Sequence, residues 1–166
     1  MRLSSCFAMG FATTALVCSA VSLIQAESNA KVCGYLPIAE LEAHFGAKAA
    51  AFRGDDGRPG QMATCSVDLP DRFHGASIIS DNPKPGGSSV EEHLATVKVL
   101  GVETKNFGSV GCYQDPIEVG DKKIHPTTCF LAGGHYLALA LVSDDPKKLG
   151  FEAVKQLLEK AAARRK

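Results

Sequence analysis

Residues 136–142 read Tyr-Leu-Ala-Leu-Ala-Leu-Val, with no charged side chain anywhere in the run. A strand with one solvated face alternates apolar and polar residues, so a strand without that alternation must be covered on both sides. Gly133-Gly134 lies just upstream, and Thr127 to Ala132 forms a second short run before it. A glycine pair accepts positive φ, so the pattern predicts a hairpin with arms Thr127–Ala132 and His135–Val142 on a two-residue turn. Leu137, Leu139 and Leu141 would then face one helix layer. Tyr136, Ala138, Ala140 and Val142 would face the other, where small side chains permit close approach. A fold for this chain must cover both faces of that strand.

Helical cover is legible on either side of it. Pro37 suits a first helical turn, Ile38, Leu41 and Phe45 follow at helical spacing, and Gly46 suits a C-terminal cap. Ser88 or Ser89 with Glu91 or Glu92 makes a capping box, ahead of Val90, Leu94 and Val97 on one face and a stop at Gly101. Asp144 or Asp145 caps a last helix with Pro146 in its first turn and Val154, Leu157, Leu158 and Ala161 as its buried stripe. Strands are expected at Cys65–Leu69, Ala76–Ser80 and Val102–Phe107, with Ile117–Val119 pairing Lys123–His125 across Gly120-Asp121. Residues 53–61 and 81–88 carry the glycines and prolines of loops, and 108–120 has the weakest pattern. The order α-β-β-α-β-β-β-β-α predicts an α+β fold: a mostly antiparallel sheet with helices on both faces, an α/β/α sandwich.

The N-terminus points to export. After Met1-Arg2, the stretch Phe7 to Ile24 contains no charge, and Ala26 precedes the polar run Glu27-Ser28-Asn29. This reads as a secretory signal peptide over residues 1–26, with weaker cut sites after Ala20 and Ala30. An uncleaved membrane anchor is the competing reading. Residues 27–32 are expected to be a flexible lead, 33–163 one domain, and 164–166 a basic, solvated C-terminal end. After cleavage no stable membrane insertion is expected. Removing Arg2 with the leader leaves 17 basic against 18 acidic residues, which removes the electrostatic case for a nucleic-acid binder.

The same cut leaves Cys33, Cys65, Cys112 and Cys129. An even count in an exported chain argues for two disulfides. Four cysteines allow three pairings, and spacing alone does not choose. The expected set is Cys33–Cys65, tying the lead-in of the first helix to the first strand, and Cys112–Cys129, clamping the weakly patterned residues 113–128.

Catalytic signatures are missing. Gly108-Ser109-Val110-Gly111 lacks the spacing of a nucleophile elbow. His44, His74, His93, His125 and His135 are scattered, with His44 and His93 expected on exposed helix faces. Cys112, His125, Cys129 and His135 could in principle hold a metal, but the steps suit a helix whereas the surroundings are strand-like, and the thiols are better explained as bridged. Asp55-Asp56-Gly57 supplies too few oxygens for calcium and reads as a solvated turn. Gly86-Gly87-Ser88-Ser89 has no Walker lysine after it. No catalytic residue, metal ligand or cofactor is assigned.

The arrangement resembles small exported bacterial domains of unknown function, many of them actinobacterial lipoproteins with a Mog1/PsbP-like fold. The resemblance rests on Cys33-Gly34-Tyr35-Leu36 before Pro37, Phe45-Gly46 at the helix end, and Ala63-Thr64-Cys65-Ser66-Val67. Phe107-Gly108-Ser109-Val110-Gly111 and the stretch from Gly133 to Leu158 complete it. It spans most of residues 33–163. The chain departs from the pattern in that its one lipobox-like stretch, Leu3-Ser4-Ser5-Cys6, has no hydrophobic segment ahead of it, in having no aromatic after the second cysteine, and in the extra pair Cys112 and Cys129. The resemblance implies a binding or accessory role outside the cytoplasm. The expected function is thus an exported, periplasmic or secreted, non-catalytic domain that binds a partner protein or small ligand. An envelope enzyme or enzyme subunit with an unrecognised site, and a metal-binding protein, are the alternatives.

Overall fold

The computed structural model describes residues 29–58, 60–70, 75–80, 88–133 and 136–165. The proposed leader, residues 1–26, lies outside them. The doubly apolar run forms β9 (Leu137–Val142), the middle strand of a seven-stranded antiparallel sheet. Across the sheet the order is β1 (Ala51–Asp55), β2 (Ala63–Asp68), β3 (Gly75–Ser80), β9, β8 (Thr127–Leu131), β5 (Val110–Gln114) and β4 (Glu103–Asn106). A separate hairpin pairs β6 (Ile117–Val119) with β7 (Lys122–Ile124). The fold is α+β with a mostly antiparallel sheet, as the sequence predicts. The element order is richer than expected, α-β-β-β-α-β-β-β-β-β-β-α.

Two of the observed strands fall where no strand was expected. β1 falls partly in the expected loop 53–61. It is an edge strand whose last three residues, Arg53, Gly54 and Asp55, are exposed, so burial leaves no alternation to detect. Glycine and aspartate are also depleted in strands; here the backbone ladder to β2 sets the conformation. β5 lies in the weakly patterned 108–120. Its first three residues, Val110, Gly111 and Cys112, are all buried, so it too lacks a polar phase.

One face of the sheet carries the main core. Leu137, Leu139 and Leu141 pack there with Cys65, Val67, Ile78, Val110, Cys112 and Cys129. They meet α1 (Ile38–Phe45) through Leu41 and Phe45, and α3 (Phe151–Arg164) through Val154, Leu157, Leu158 and Ala161. The chain enters this face earlier than expected. Lys31–Tyr35 is a 3₁₀ turn and Val32 is buried, so the flexible lead cannot extend to residue 32. The Asp56 carboxylate accepts from the N–H groups of Lys31 and Val32, both at 2.9 Å. That corrects the reading of Asp55-Asp56-Gly57 as a merely solvated turn: Asp56 caps an element 24 residues upstream. These two N–H donors also hold the Asp56 carboxyl below its ordinary range.

The last helix is interrupted. Asp145 Oδ1 accepts from Lys147 N–H and caps a 3₁₀ turn over Pro146–Leu149; α3 then begins after Gly150. Its end is not simply solvated either. Arg164 pairs with Glu40 of α1 at 2.9 Å, and Arg165 donates to the Tyr136 carbonyl at 3.2 Å.

Both disulfides join the expected partners, Cys33 to Cys65 and Cys112 to Cys129. The second bridge does not lie where a loop clamp was expected. Cys112 and Cys129 stand directly opposite on β5 and β8, inside the main core. The bridge reinforces a ladder already formed rather than clamping a weak loop.

Candidate functional site

The second face of the sheet is built around small residues. Ala138 and Gly111 leave room there for the Phe130 ring, which is fully buried. A methyl group on Gly111 would stand 2.5 Å from Phe130 Cζ and 3.0 Å from Val90 Cγ1. This vacancy lets α2 (Val90–Lys98) close over the ring with Val90 and Leu94. The helix starts where the sequence predicts: Ser89 Oγ accepts from Glu92 N–H, and Glu92 Oε2 accepts from Ser89 N–H. Helices thus lie on both faces, but the cover is unequal, because α2 packs on β4 and β5 at one side.

Around Phe130 the helix and sheet assemble an aromatic cluster. The His93 ring lies 4.3 Å from Phe130 between centroids, with Tyr136 at 6.0 Å and Tyr113 at 6.3 Å from the same ring. His93, Tyr113 and Tyr136 are half-buried, so each keeps part of its surface exposed. His93 was expected to be exposed; its neighbours across the sheet bury it instead.

Beyond the cluster the same face continues over β9, β3 and β2. The register aligns Thr128, Ala140, Ser77 and Ser66 in one row. These four are half-buried, and Thr64 on the adjoining row is exposed. The face is therefore a floor of hydroxyls and methyls with Ile79 on the adjoining row, bounded on one side by aromatic rings and on the other by Arg53 of β1, which stands opposite Ser66 and pairs with Asp68.

Burial sets the electrostatics of that boundary. It pushes the His93 imidazole down from its usual value. It pushes the Tyr136 phenol up to about 12, with the neighbouring Tyr113 adding to the shift. Both changes favour the uncharged form, and no carboxylate, lysine or arginine contributes to either. What this arrangement can do is donate and accept hydrogen bonds from hydroxyls and offer neutral aromatic surface.

No family model, curated protein or solved structure matches the chain.

The residues weighed from the sequence fall elsewhere. Cys112 and Cys129 are bonded to each other, so neither thiol is a free metal ligand. Among the described residues no three histidine, cysteine or acidic side chains gather as a metal site. His74, His135, Gly86 and Gly87 lie outside the described residues. Gly108-Ser109 forms the tight turn of the β4–β5 hairpin, closed by Phe107 N–H to the Val110 carbonyl at 2.8 Å, and is no elbow. Glu91 accepts from Asn106 and Glu92 belongs to the capping box. His44 bonds the Lys148 carbonyl at 2.7 Å, locking α1 to the 3₁₀ turn before α3. The aromatic cluster escaped sequence reading because its members come from α2, β5, β8 and the approach to β9. One signal was available: two of the chain's three tyrosines sit in it.

Proposed function

We propose that this protein is an exported, non-catalytic binding domain of the cell envelope or the exterior, and that it engages a partner protein through the second face of its sheet. Residues 1–26 serve as the export signal. The two disulfides support an oxidising compartment. Among the described residues no helix is long and apolar enough to cross a membrane. A Mog1/PsbP-like reading of the fold is supported by the antiparallel sheet with α2 on one face and α1 and α3 on the other.

The observation that carries the binding role is the half-covered face itself, with His93, Tyr113 and Tyr136 at its margin. Tyrosine is enriched where proteins meet, because it buries a large rigid surface while keeping a polar tip. The small hydroxylated floor beside it offers hydrogen bonds without a side-chain barrier. The test is co-purification from the native host with wild-type bait and with Ser66→Arg, Tyr136→Ala and Lys48→Ala baits, Lys48 being an exposed side chain just after α1 on the opposite side of the sheet. A partner held by wild type and by Lys48→Ala, but lost with Ser66→Arg and Tyr136→Ala, supports binding on this face. A partner retained by all four baits refutes it.

A further inference from the structure

A second site lies at the end of the sheet where β4 begins and β5 ends. The β6–β7 hairpin folds over this end, and a cleft of about 440 Å³ opens between it and the 3₁₀ turn Pro146–Leu149. That volume is in the range of clefts that hold small molecules. Its base is rigid. Gln114 Nε2 donates to Thr127 Oγ1 and to the Leu149 carbonyl, each at 2.9 Å, and Thr127 Oγ1 donates to the same carbonyl at 2.6 Å. Ile124 and Leu149 are buried beside these bonds and supply apolar lining. The ion pair Lys122–Asp144, at 2.8 Å, fastens the hairpin to the segment after β9. The cleft is therefore preformed and held from three sides.

Three ionisable side chains line it without being consumed by that framework. Glu103 comes from the edge strand β4, and Lys123 and His125 come from the far arm of the hairpin. None of the three has a side-chain hydrogen bond or ion pair among the described residues, although charged groups elsewhere on this molecule pair readily. A cleft that offers a carboxylate on one strand and an ammonium with an imidazole on another complements a ligand bearing both charges. A purely anionic ligand would meet Glu103, and a purely cationic one would meet Lys123. The apolar lining adds a demand for a short hydrocarbon body between the charged ends.

We infer that this cleft binds a small zwitterion of the α-amino-acid or dipeptide class, its amine toward Glu103 and its carboxylate toward Lys123 and His125. The site is separate from the aromatic face and does not depend on the role proposed for that face.

The experiment is an NMR titration of the isotope-labelled chain from Glu27 onward with leucine, phenylalanine, glutamate, arginine and leucyl-leucine. At least one should give saturating shifts confined to the amides of 102–104, 114, 122–125 and 143–149, with a dissociation constant of about 1 mM or tighter. The N-acetyl and amide derivatives of the tightest binder should each bind at least about tenfold more weakly. Glu103→Gln should erase the penalty for acetylation, and Lys123→Gln with His125→Asn should erase the penalty for amidation. These side chains make no described fold contacts, so the variants should keep the wild-type spectrum away from the cleft. Absence of saturating shifts with all five probes overturns the inference. So does equal binding of the blocked derivatives, or shifts centred on His93 and Tyr136.

Discussion

Gly111 and Phe130 show how much can hang on one missing methyl group. Gly111 needs no unusual backbone angle; its role is the space above it. Gly111→Ala should displace the Phe130 ring and with it α2, at a cost of roughly 1–3 kcal/mol from overpacking. Chemical denaturation checks this, and near-wild-type stability would mean the ring has another place to go. His93 shares that contact and gives it a pH signature. Its folded-state pKa is depressed by burial, so the unfolded chain binds the proton more readily. The contribution is complete above the unfolded value near 6.5 and declines as pH falls below it. The Tyr136 phenol, pushed up to about 12, stays uncharged through this range. The lowered carboxyls Glu40, Glu42, Asp56 and Glu91 lose their contributions only nearer their own unfolded values, around pH 4. Melting temperature should therefore fall between pH 7 and 5.5, and His93→Phe should flatten that slope.

Among the elements, the two covalent links differ in access. Cys112 and Cys129 are both fully buried between β5 and β8. Cys33 is only half-buried, at the 3₁₀ turn, while its partner Cys65 is fully buried. Thiol exchange requires a thiolate to reach one sulfur, so attack at Cys33 is the open route. Under native conditions dithiothreitol should release Cys33 and Cys65 first, leaving Cys112–Cys129 intact until the domain unfolds. Timed alkylation with mass mapping reads the order, and simultaneous release would show that the core opens sub-globally. The same two regions mark the limit of pattern reading. The helix starts were legible because caps are local: Ser89 and Glu92 lie three residues apart and bond each other. β1 was not legible, because its register exists only against β2.

For the molecule as a whole, the question is whether the sheet is covered on both sides of β9. Leu139 and Ala138 are both buried, on opposite faces, in separate core clusters. Leu139→Ala should cost roughly 2–5 kcal/mol. Ala138→Leu should also destabilise, by about 1–3 kcal/mol, because it would enter the space of Phe130. Thermal melts of both variants test the architecture: a neutral Ala138→Leu would mean α2 does not seal that face. The described core begins at Val32, only a few residues after the expected cleavage site. N-terminal sequencing of the exported protein should find Glu27, or a residue within a few positions of it. An intact Met1 in the envelope fraction would overturn the signal assignment.

The hairpin of β8 and β9 separates what sequence determined from what it could not. Seven residues without a polar phase required a central strand, since unpaired exposure of either face would leave apolar surface in water. That requirement is local and was readable. The turn was not: Gly133-Gly134 suggested a two-residue connection, which would set Phe130 opposite Leu137. The register instead pairs Leu131 with Leu137 and Phe130 with Ala138, one step away. A one-residue step moves a side chain to the other face of the sheet. The observed step puts the large ring against Ala138, while the separate ladder to β5 sets it over Gly111, where there is volume for it, and Cys129 opposite Cys112. Period and composition specify that a strand is buried. Only packing across strands distant in sequence specifies which residues face each other, because the volumes that must match are brought together by the fold itself.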